Sequence, residues 1–225
     1  MCGRFVLFSS LDEIVAAFDV ASAPPRVRTS YNIAPTQPVA VVLVRDGVRS
    51  LDEMVWGLIP AWAKDRGIGS RMINARAETL HQKPSFRRPL ATQRCLVVAD
   101  GFYEWRQVGN AKKPMYVHLV SRRPFGFAGL YDVWTSPEGE TVHSCTIITT
   151  VPNELLQPIH DRMPVILPRA AEDEWLSDDV RSPNDLLRLL RPYPADEMVA
   201  YPVSRLVNLP QNDGPECIRP FEEDN

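Results

Sequence analysis

The chain has 225 residues, of which 44% are hydrophobic and 24% charged, and its formal net charge is −3. Such a length and composition are typical of one globular domain with a sizeable core. No apolar run reaches the ~18 residues of a membrane-spanning helix, and the N-terminus lacks the basic and apolar regions of a signal peptide. We therefore expect a protein that is neither membrane-embedded nor generally basic. We also expect a monomer, and the cysteine pattern favours the reducing cytoplasm.

The four cysteines, Cys2, Cys95, Cys145 and Cys217, form no CxxC pair. Their spacing fits neither a zinc site nor a small disulfide framework, so we expect free thiols, no metal and no cofactor. Cys95 and Cys145 lie in apolar runs and are predicted to be buried.

The predicted elements begin with a helix over 10–19, opened by the capping box of Ser10 and Glu13. A loop is predicted over 31–36 and a buried strand over 39–45, followed by a hairpin turn at 46–47. The next apolar run, from residue 55, predicts a strand that ends at Pro60.

The segment 63–93 is polar and rich in arginine, which predicts a long irregular loop, and such loops are usually functional. Beyond it the pattern predicts mostly strands, with short helices over 152–156, 170–176 and 183–190. The predicted strands cover 94–99, 101–106, 115–120, 125–131, 144–150, 163–167 and 199–204.

This order of elements contains no alternation of strand and helix and no repeat. It predicts a single α+β domain over 1–225, in which a curved, mainly antiparallel sheet closes into a barrel or two packed sheets, with few short helices. The core is expected over about 2–208, and the acidic segment 209–225 is expected to fray.

Cys2 becomes the first residue if Met1 is removed. A terminal cysteine carries an amine and a thiol on adjacent carbons, and together they trap aldehydes: the amine forms an imine and the thiol then closes a thiazolidine ring. The α-amine has an ordinary pKa of roughly 7.7–8.0, so part of it is neutral near pH 7. On position alone, the favoured interpretation is that Cys2 is an ordinary residue after an initiator methionine.

Four further polar residues stand in apolar or rigid settings: Asn74, Glu104, His160 and Arg162. A carboxylate buried between Tyr103 and Trp105 would have a raised pKa, as acid–base chemistry near neutral pH requires. Alternatively, Glu104 lies on the polar face of its strand, Asn74 is a turn residue, and His160 is structural.

The segment 62–94 is locally basic in an otherwise acidic chain. This pattern is most often a solvated face. It is also typical of a groove for single-stranded nucleic acid, in which arginines contact phosphates and aromatic side chains stack under bases. The candidates for such contacts are Trp62, Arg76, Phe86, Arg87 and Arg162.

Taken together, the motifs resemble the SRAP family, the SOS response-associated peptidase family. The resemblance covers nearly the whole chain, from Cys2 to about Asn208. It is carried by MCGRF at 1–5, YNIAP at 31–35, WGLIPAW at 56–62, INARAE at 73–78, FR at 86–87, CLVVADGFYEW at 95–105, FAGLY at 127–131, TIITT at 146–150, IHDRMP at 159–164, PVS at 202–204 and VN at 207–208.

The resemblance implies a protein that binds single-stranded DNA and attaches covalently to abasic sites through Cys2. Asn74 would orient Cys2, Glu104 would move protons, and His160 would assist sugar ring opening and strand release. The phosphates flanking the lesion would be held by Arg4, Arg76 and Arg162, and Trp62 would stack beside the lesion. Phe86 and Arg87, which lie in a loop that varies within the family, would also contact DNA.

The sequence departs from the family pattern at Val98, where many members have proline, and at Ala63, where some have a second tryptophan. The second departure leaves undecided which surface stacks on the DNA bases. Two other functions also stay open: a cysteine peptidase that removes Met1 with Cys2, His160 and Glu104 or Asn74, and a noncatalytic single-strand binder.

Overall fold

The computed structural model describes residues 2–177 and 182–221. Within these residues, strands dominate and helices are few and short. The strands are β1 (Arg4–Leu7), β2 (Ser30–Ile33), β3 (Pro38–Arg45), β4 (Val48–Trp56), β5 (Asn74–Arg76), β6 (Arg94–Ala99), β7 (Gly101–Val108), β8 (Ala111–Leu119), β9 (Phe125–Thr135), β10 (Thr141–Thr150), β11 (Met163–Pro164) and β12 (Met198–Pro202). The α-helices are α1 (Leu11–Phe18), α2 (Pro84–Thr92), α3 (Arg169–Leu176) and α4 (Pro183–Leu187).

Five strands close into a barrel in the order β10-β4-β3-β6-β9, with β9 pairing back to β10. The barrel is mixed, because β10 and β4 run parallel. The other four neighbouring pairs of the ring are antiparallel. The short strands β5 and β11 add to β10 outside this ring. Ring closure leaves the five core strands without free edges.

A second, antiparallel sheet has the order β12-β8-β7-β1-β2 and packs on the barrel. Phe5 of this sheet makes edge-on ring contacts with Trp56 and Phe127 of the barrel, at centroid distances of 5.1 and 5.8 Å. All three side chains are fully buried. The predicted α+β class, with mainly antiparallel sheets and a barrel-like core, is confirmed.

Three local predictions from the sequence are also confirmed. The Ser10 hydroxyl accepts a hydrogen bond from the Glu13 amide, and the Glu13 carboxylate accepts one from the Ser10 amide, so the capping box opens α1. Asp46 and Gly47 both have positive φ angles, of 51° and 74°, as a tight hairpin between β3 and β4 requires. Cys95 and Cys145 are fully buried, and all four cysteines are free thiols.

The strand predicted from residue 55 to Pro60 instead ends at Trp56, as the last residue of β4. Gly57 follows with a φ of 134°, and a Cβ atom there would lie 2.6 Å from the carbonyl oxygen of Gly69. The chain turns at this glycine to pack against the segment that leads to β5.

The predicted irregular loop over 63–93 is wrong. It contains a 3₁₀ helix (Arg66–Arg71), then β5, a second 3₁₀ helix (Ala77–Thr79) and the nine-residue helix α2. Pro84 opens α2, where its missing amide costs nothing, and its buried side chains Phe86, Pro89 and Leu90 share one face. Charged residues between them conceal this short apolar face.

Two other short predictions are corrected. Much of the predicted loop 31–36 belongs to β2, which gains its stability by pairing with β1, and the sequence analysis predicts neither strand. The predicted helix over 152–156 is a series of turns over 154–159, opened by Asn153, whose Oδ1 accepts a hydrogen bond from the Leu156 amide.

The predicted fraying from residue 209 is wrong for the described part of that segment, 209–221. The side chain of Asn32 donates hydrogen bonds to the carbonyls of Leu209 and Asn212. Cys217 is fully buried, and the Tyr201 hydroxyl donates to the Ile218 carbonyl. The segment is ordered because these contacts satisfy its backbone groups; residues 222–225 lie outside the described residues.

Candidate functional site

Cys2 is fully buried and lies two residues before the start of β1. Its carbonyl oxygen accepts a 2.7 Å hydrogen bond from the Nδ2 of Asn74. Burial raises the pKa of the Cys2 thiol well above its ordinary value, and the nearby Glu104 carboxylate raises it further. The thiol is therefore protonated at neutral pH.

Asn74 is the first residue of β5 and lies opposite Ile147 of β10. Its Oδ1 is buried and accepts no hydrogen bond from the described residues. An amide whose donor already binds Cys2 thus presents an acceptor to the same region. Such an acceptor suits a hydroxyl or amine donor of a bound substrate.

Glu104 lies on β7, which pairs with β1 so that Arg4 is opposite Tyr103. This register brings the start of the chain next to Glu104. The Glu104 side chain is only 2% exposed, so its predicted burial is confirmed and a position on a solvated strand face is excluded. Burial raises the pKa of Glu104 to about 7, which suits proton transfer near neutral pH.

His160 approaches the same carboxylate from the turn before β11. Its Nε2 lies 4.0 Å from Oε2 of Glu104, and its side chain is 27% exposed. Burial lowers the pKa of His160 below its ordinary value, so the imidazole is neutral at pH 7. The structure therefore brings Cys2, Asn74, Glu104 and His160 together, as the sequence motifs predict.

An open groove of about 570 Å³ lies beside the Glu104–His160 pair and is lined by Glu104, Trp105, Lys112, His160 and Asn208. Lys112 comes from the hairpin between β7 and β8, and Asn208 accepts a 2.8 Å hydrogen bond from the Trp105 indole. The sequence analysis assigned no role to Trp105, Lys112 or Asn208. Nothing in the residue pattern marks Lys112, because only the hairpin register brings it to the groove.

Arg162 lies beside this cluster but is held by other protein groups. Its guanidinium donates to both carboxylate oxygens of Glu78, at 2.8 and 3.0 Å, and to the Thr149 carbonyl at 2.6 Å. The Arg162 side chain is 11% exposed. A phosphate contact through Arg162 would have to share its guanidinium with Glu78.

Arg4 is likewise engaged within the protein. One terminal nitrogen donates to Oδ1 of Asn32 and to the Val207 carbonyl, at 2.7 and 2.8 Å, and the other donates to the Asn208 carbonyl. These bonds tie β1 to the C-terminal segment. The geometry makes Arg4 a link between chain segments, whatever contact it makes with a ligand.

Trp62 and Arg76 are the exposed members of the predicted DNA contacts. The Trp62 side chain is 60% exposed and lines a shallow depression with Lys64 and Arg71. Arg76 ends β5, two residues after Asn74, and is exposed. Both side chains are accessible to a ligand.

The predicted role of Phe86 in base stacking is corrected by its burial, since it is 9% exposed and packs in the core under α2. Arg87, on the outer face of α2, lines a separate cavity of about 370 Å³ together with residues of α4. Arg87 and the cluster around Cys2 share no cavity.

Two general observations bound the site. In the described part of the chain, no group of three His, Cys, Asp or Glu side chains is arranged to hold a metal ion. Every helix in residues 2–177 and 182–221 is too short or too polar to cross a lipid bilayer.

The chain thus combines a closed barrel packed against an antiparallel sheet with a cluster of Cys2, Asn74, Glu104 and His160. The family model for SOS response associated peptidase (SRAP) matches residues 1–210. The chain belongs to the SRAP family.

Several similar proteins have been named. The abasic site processing protein YoqW of Bacillus subtilis (strain 168) is 51% identical over 221 residues, covering 97% of this chain and 99% of its own. The abasic site processing protein HMCES of Gallus gallus is 34% identical over 229 residues, covering 88% and 68%.

The fold is also similar to solved structures. A crystal structure of a protein from Bacteroides thetaiotaomicron superposes with a TM-score of 0.89 at 28% identity, over 98% of this chain and 100% of that one. One from Bordetella bronchiseptica gives a TM-score of 0.78 at 27% identity, over 90% and 100%.

Proposed function

We propose that the protein processes abasic sites in single-stranded DNA by forming a covalent crosslink through Cys2. The observation that carries the proposal is the clustering of Cys2, its partner Asn74 and the Glu104–His160 pair, of which Glu104 and His160 line an open groove. Relatives named abasic site processing proteins match nearly the whole chain, which supports DNA with abasic sites as the substrate.

An abasic deoxyribose opens to an aldehyde, and the chemistry of Cys2 follows from that group. After loss of Met1, the Cys2 amine adds to the aldehyde and water leaves, giving an imine. The thiol then adds across the C=N bond: sulfur bonds to carbon and the thiol proton passes to nitrogen, closing a thiazolidine. No oxidant or metal is needed for this sequence.

The neighbouring side chains have distinct roles in this proposal. Glu104, whose pKa is raised to about 7 by burial, supplies a proton for sugar ring opening and for loss of water. His160, whose Nε2 lies 4.0 Å from Oε2 of the same carboxylate, assists ring opening and strand release. Asn74 holds Cys2 through its carbonyl and offers Oδ1 to the sugar or the amine.

The basic segment 62–94 would contact the DNA backbone. The exposed Arg76 contacts a phosphate, and the exposed Trp62 stacks on a base next to the lesion.

The peptidase function is less well supported. A cysteine peptidase needs a thiolate, and burial together with Glu104 raises the pKa of the Cys2 thiol. Thiazolidine formation starts instead from the amine. The two functions also differ in what they need from the chain start, because only aldehyde capture requires the free α-amine.

An N-terminal extension tests this difference. Protein carrying an uncleaved extension before Cys2 is expected to bind abasic single-stranded DNA reversibly and to form no crosslink. The matched control carries the same extension with a protease site that leaves Cys2 first, and cleavage should restore crosslinking. Crosslinking of normal yield by the extended protein would overturn the thiazolidine mechanism.

A further inference from the structure

The ion pair between Glu78 and Arg162 is linked to the candidate active site through the backbone of Arg162, which contacts His160. The two carboxylate oxygens of Glu78 accept from the two terminal nitrogens of Arg162, at 2.8 and 3.0 Å. The Arg162 guanidinium also donates to the Thr149 carbonyl on β10. A planar fork bound on both sides in this way has little freedom to rotate, so the backbone at Arg162 is anchored.

The anchored backbone acts directly on His160. The amide of Arg162 donates a 3.0 Å hydrogen bond to Nδ1 of His160. A ring nitrogen that accepts a hydrogen bond carries no proton, so the neutral imidazole has its proton on Nε2. That nitrogen is the one that lies 4.0 Å from Oε2 of Glu104.

Asp161 offers a competing partner, because its Oδ1 lies 2.8 Å from the same Nδ1 and would favour a proton there. The Asp161 side chain is 86% exposed, however, so water competes for its carboxylate. The Arg162 amide has no such freedom while the guanidinium is held by Glu78. The anchored amide is therefore the stronger influence on the His160 tautomer.

Glu78 is well placed for this role by its position in the chain. It follows β5 by two residues, and β5 begins with Asn74, whose side chain holds the Cys2 carbonyl. One short segment, 74–78, thus contacts both the start of the chain and the turn that carries His160. Because β5 pairs with β10, this segment is fixed to the barrel.

We propose that Glu78 is a positioning residue: through the Arg162 side chain and amide it holds His160 with the Nε2 proton facing Glu104. The role of His160 in the reaction rests on the proposed function, but the orientation of its ring does not. Removing Glu78 should therefore change His160 even when no DNA is present.

Nitrogen-15 NMR of the histidine side chains tests the orientation directly. His160→Gln identifies the His160 signals among those of the four histidines. In the unmodified protein we expect the Nε2–H tautomer for neutral His160. Glu78→Ala should give a mixture of tautomers, whereas Glu78→Gln, which keeps one acceptor for Arg162, should give an intermediate result.

Kinetics provides the second readout. A disordered His160 should slow crosslinking by about tenfold, which is part of the ~10²–10⁴ that a positioned acid–base group contributes. Binding of an intact single-stranded oligonucleotide should be equal or tighter in Glu78→Ala, because a negative charge beside Arg76 and Arg162 is removed. Asp161→Asn is the control variant, and it should leave the tautomer unchanged.

The outcomes separate the two proposals. A wild-type tautomer and rate in Glu78→Ala would overturn the positioning role, as would a tautomer change in Asp161→Asn that equals the one in Glu78→Ala. Weaker oligonucleotide binding at an unchanged tautomer would assign Glu78 to DNA contacts instead. Failure of the unmodified protein to crosslink would overturn the proposed function, but the NMR result would still decide the role of Glu78. If Glu78→Ala does not fold, the tautomer in Glu78→Gln decides that role.

Discussion

The Nδ2 of Asn74 lies 2.7 Å from the carbonyl oxygen of Cys2 and donates a hydrogen bond to it. The two residues are 72 positions apart in the chain, and their meeting joins the second sheet to a strand added to the barrel. A residue at the very start of a chain is ordinarily free to move. Here it is buried and oriented, as a group that must meet an electrophile in one geometry needs to be.

We expect Asn74→Ala to slow crosslinking to abasic DNA by at least about tenfold, because a misplaced nucleophile loses the benefit of orientation. The loss of one hydrogen bond should lower the free energy of unfolding by only about 1 kcal/mol. Single-turnover crosslinking and chemical denaturation measure the two effects. Asn74→Asp, which keeps the shape and lacks the donor, should behave similarly; a normal rate in both variants would contradict the role of Asn74.

The raised pKa of the buried Glu104 should make the stability of the protein depend on pH. Its pKa in the folded state is about 7, against an ordinary value of 4.5. Between these pH values the unfolded chain releases the proton while the folded protein retains it, so stability is lost as pH rises through this window. Glu104→Gln should therefore stabilise the protein at pH 8 by up to about 3 kcal/mol and have little effect near pH 4. Denaturation at both pH values measures this, and a difference that does not vary with pH would contradict the raised pKa.

Substitution of Arg4 and of Arg76 is expected to change the free energy of unfolding by different amounts. Arg4 donates to Asn32 and to two main-chain carbonyls, so Arg4→Ala should lower the free energy of unfolding by about 2 kcal/mol. Arg76→Ala, at an exposed strand end, should change it by less than about 0.5 kcal/mol. Thermal denaturation of the two variants compares them. Equal stability would show that the Arg4 hydrogen bonds contribute nothing.

Arg76 should contribute to DNA binding although it contributes little to stability. We expect Arg76→Ala to weaken binding to any single-stranded sequence and to reduce the slope of log K against log salt by about 0.7, the value for one phosphate contact. Fluorescence anisotropy over a range of salt concentrations measures this slope. An unchanged slope would remove Arg76 from the phosphate contacts.

The aromatic residues Trp62 and Phe86 form a matched pair. Trp62 is 60% exposed, so Trp62→Ala should leave stability nearly unchanged and weaken single-strand binding by about 1–3 kcal/mol, the contribution of one stacked base. Phe86 is buried under α2, so Phe86→Ala should destabilise the fold by about 3–5 kcal/mol. The variants are compared by denaturation and by binding under conditions where both are folded. A binding loss confined to Phe86→Ala would reverse these assignments.

The sequence predicts the parts of this structure that depend on local patterns or on whole motifs. The capping box of α1, the hairpin turn at Asp46 and Gly47, and the buried runs of β3 and β6 follow from propensity and hydrophobic pattern. The strands β1 and β2 do not, because four residues become a strand only when a partner lies beside them. Helix α2 is difficult to predict for a related reason, since arginines separate the buried residues of its short apolar face in the sequence.

The candidate site shows the same division. Cys2, Asn74, Glu104 and His160 can be found from the sequence because each is a polar residue in a motif with a chemical use. Lys112 and Glu78 cannot, since one reaches the groove by hairpin register and the other acts through the side chain of Arg162. The burial of Phe86 and the internal partners of Arg4 also require the tertiary structure.

The most direct test of the central claim is a denaturing gel of protein mixed with a single-stranded oligonucleotide that carries one abasic site, with and without borohydride. Mass spectrometry first establishes that Met1 is absent from the unmodified protein and from Cys2→Ala. We predict that the unmodified protein gives a shifted band without reductant. Cys2→Ala should give one only with borohydride, because its amine still forms a reducible imine and has no thiol to close the ring. An equal shift by Cys2→Ala without reductant, or no shift by the unmodified protein, would contradict capture of the abasic aldehyde by Cys2.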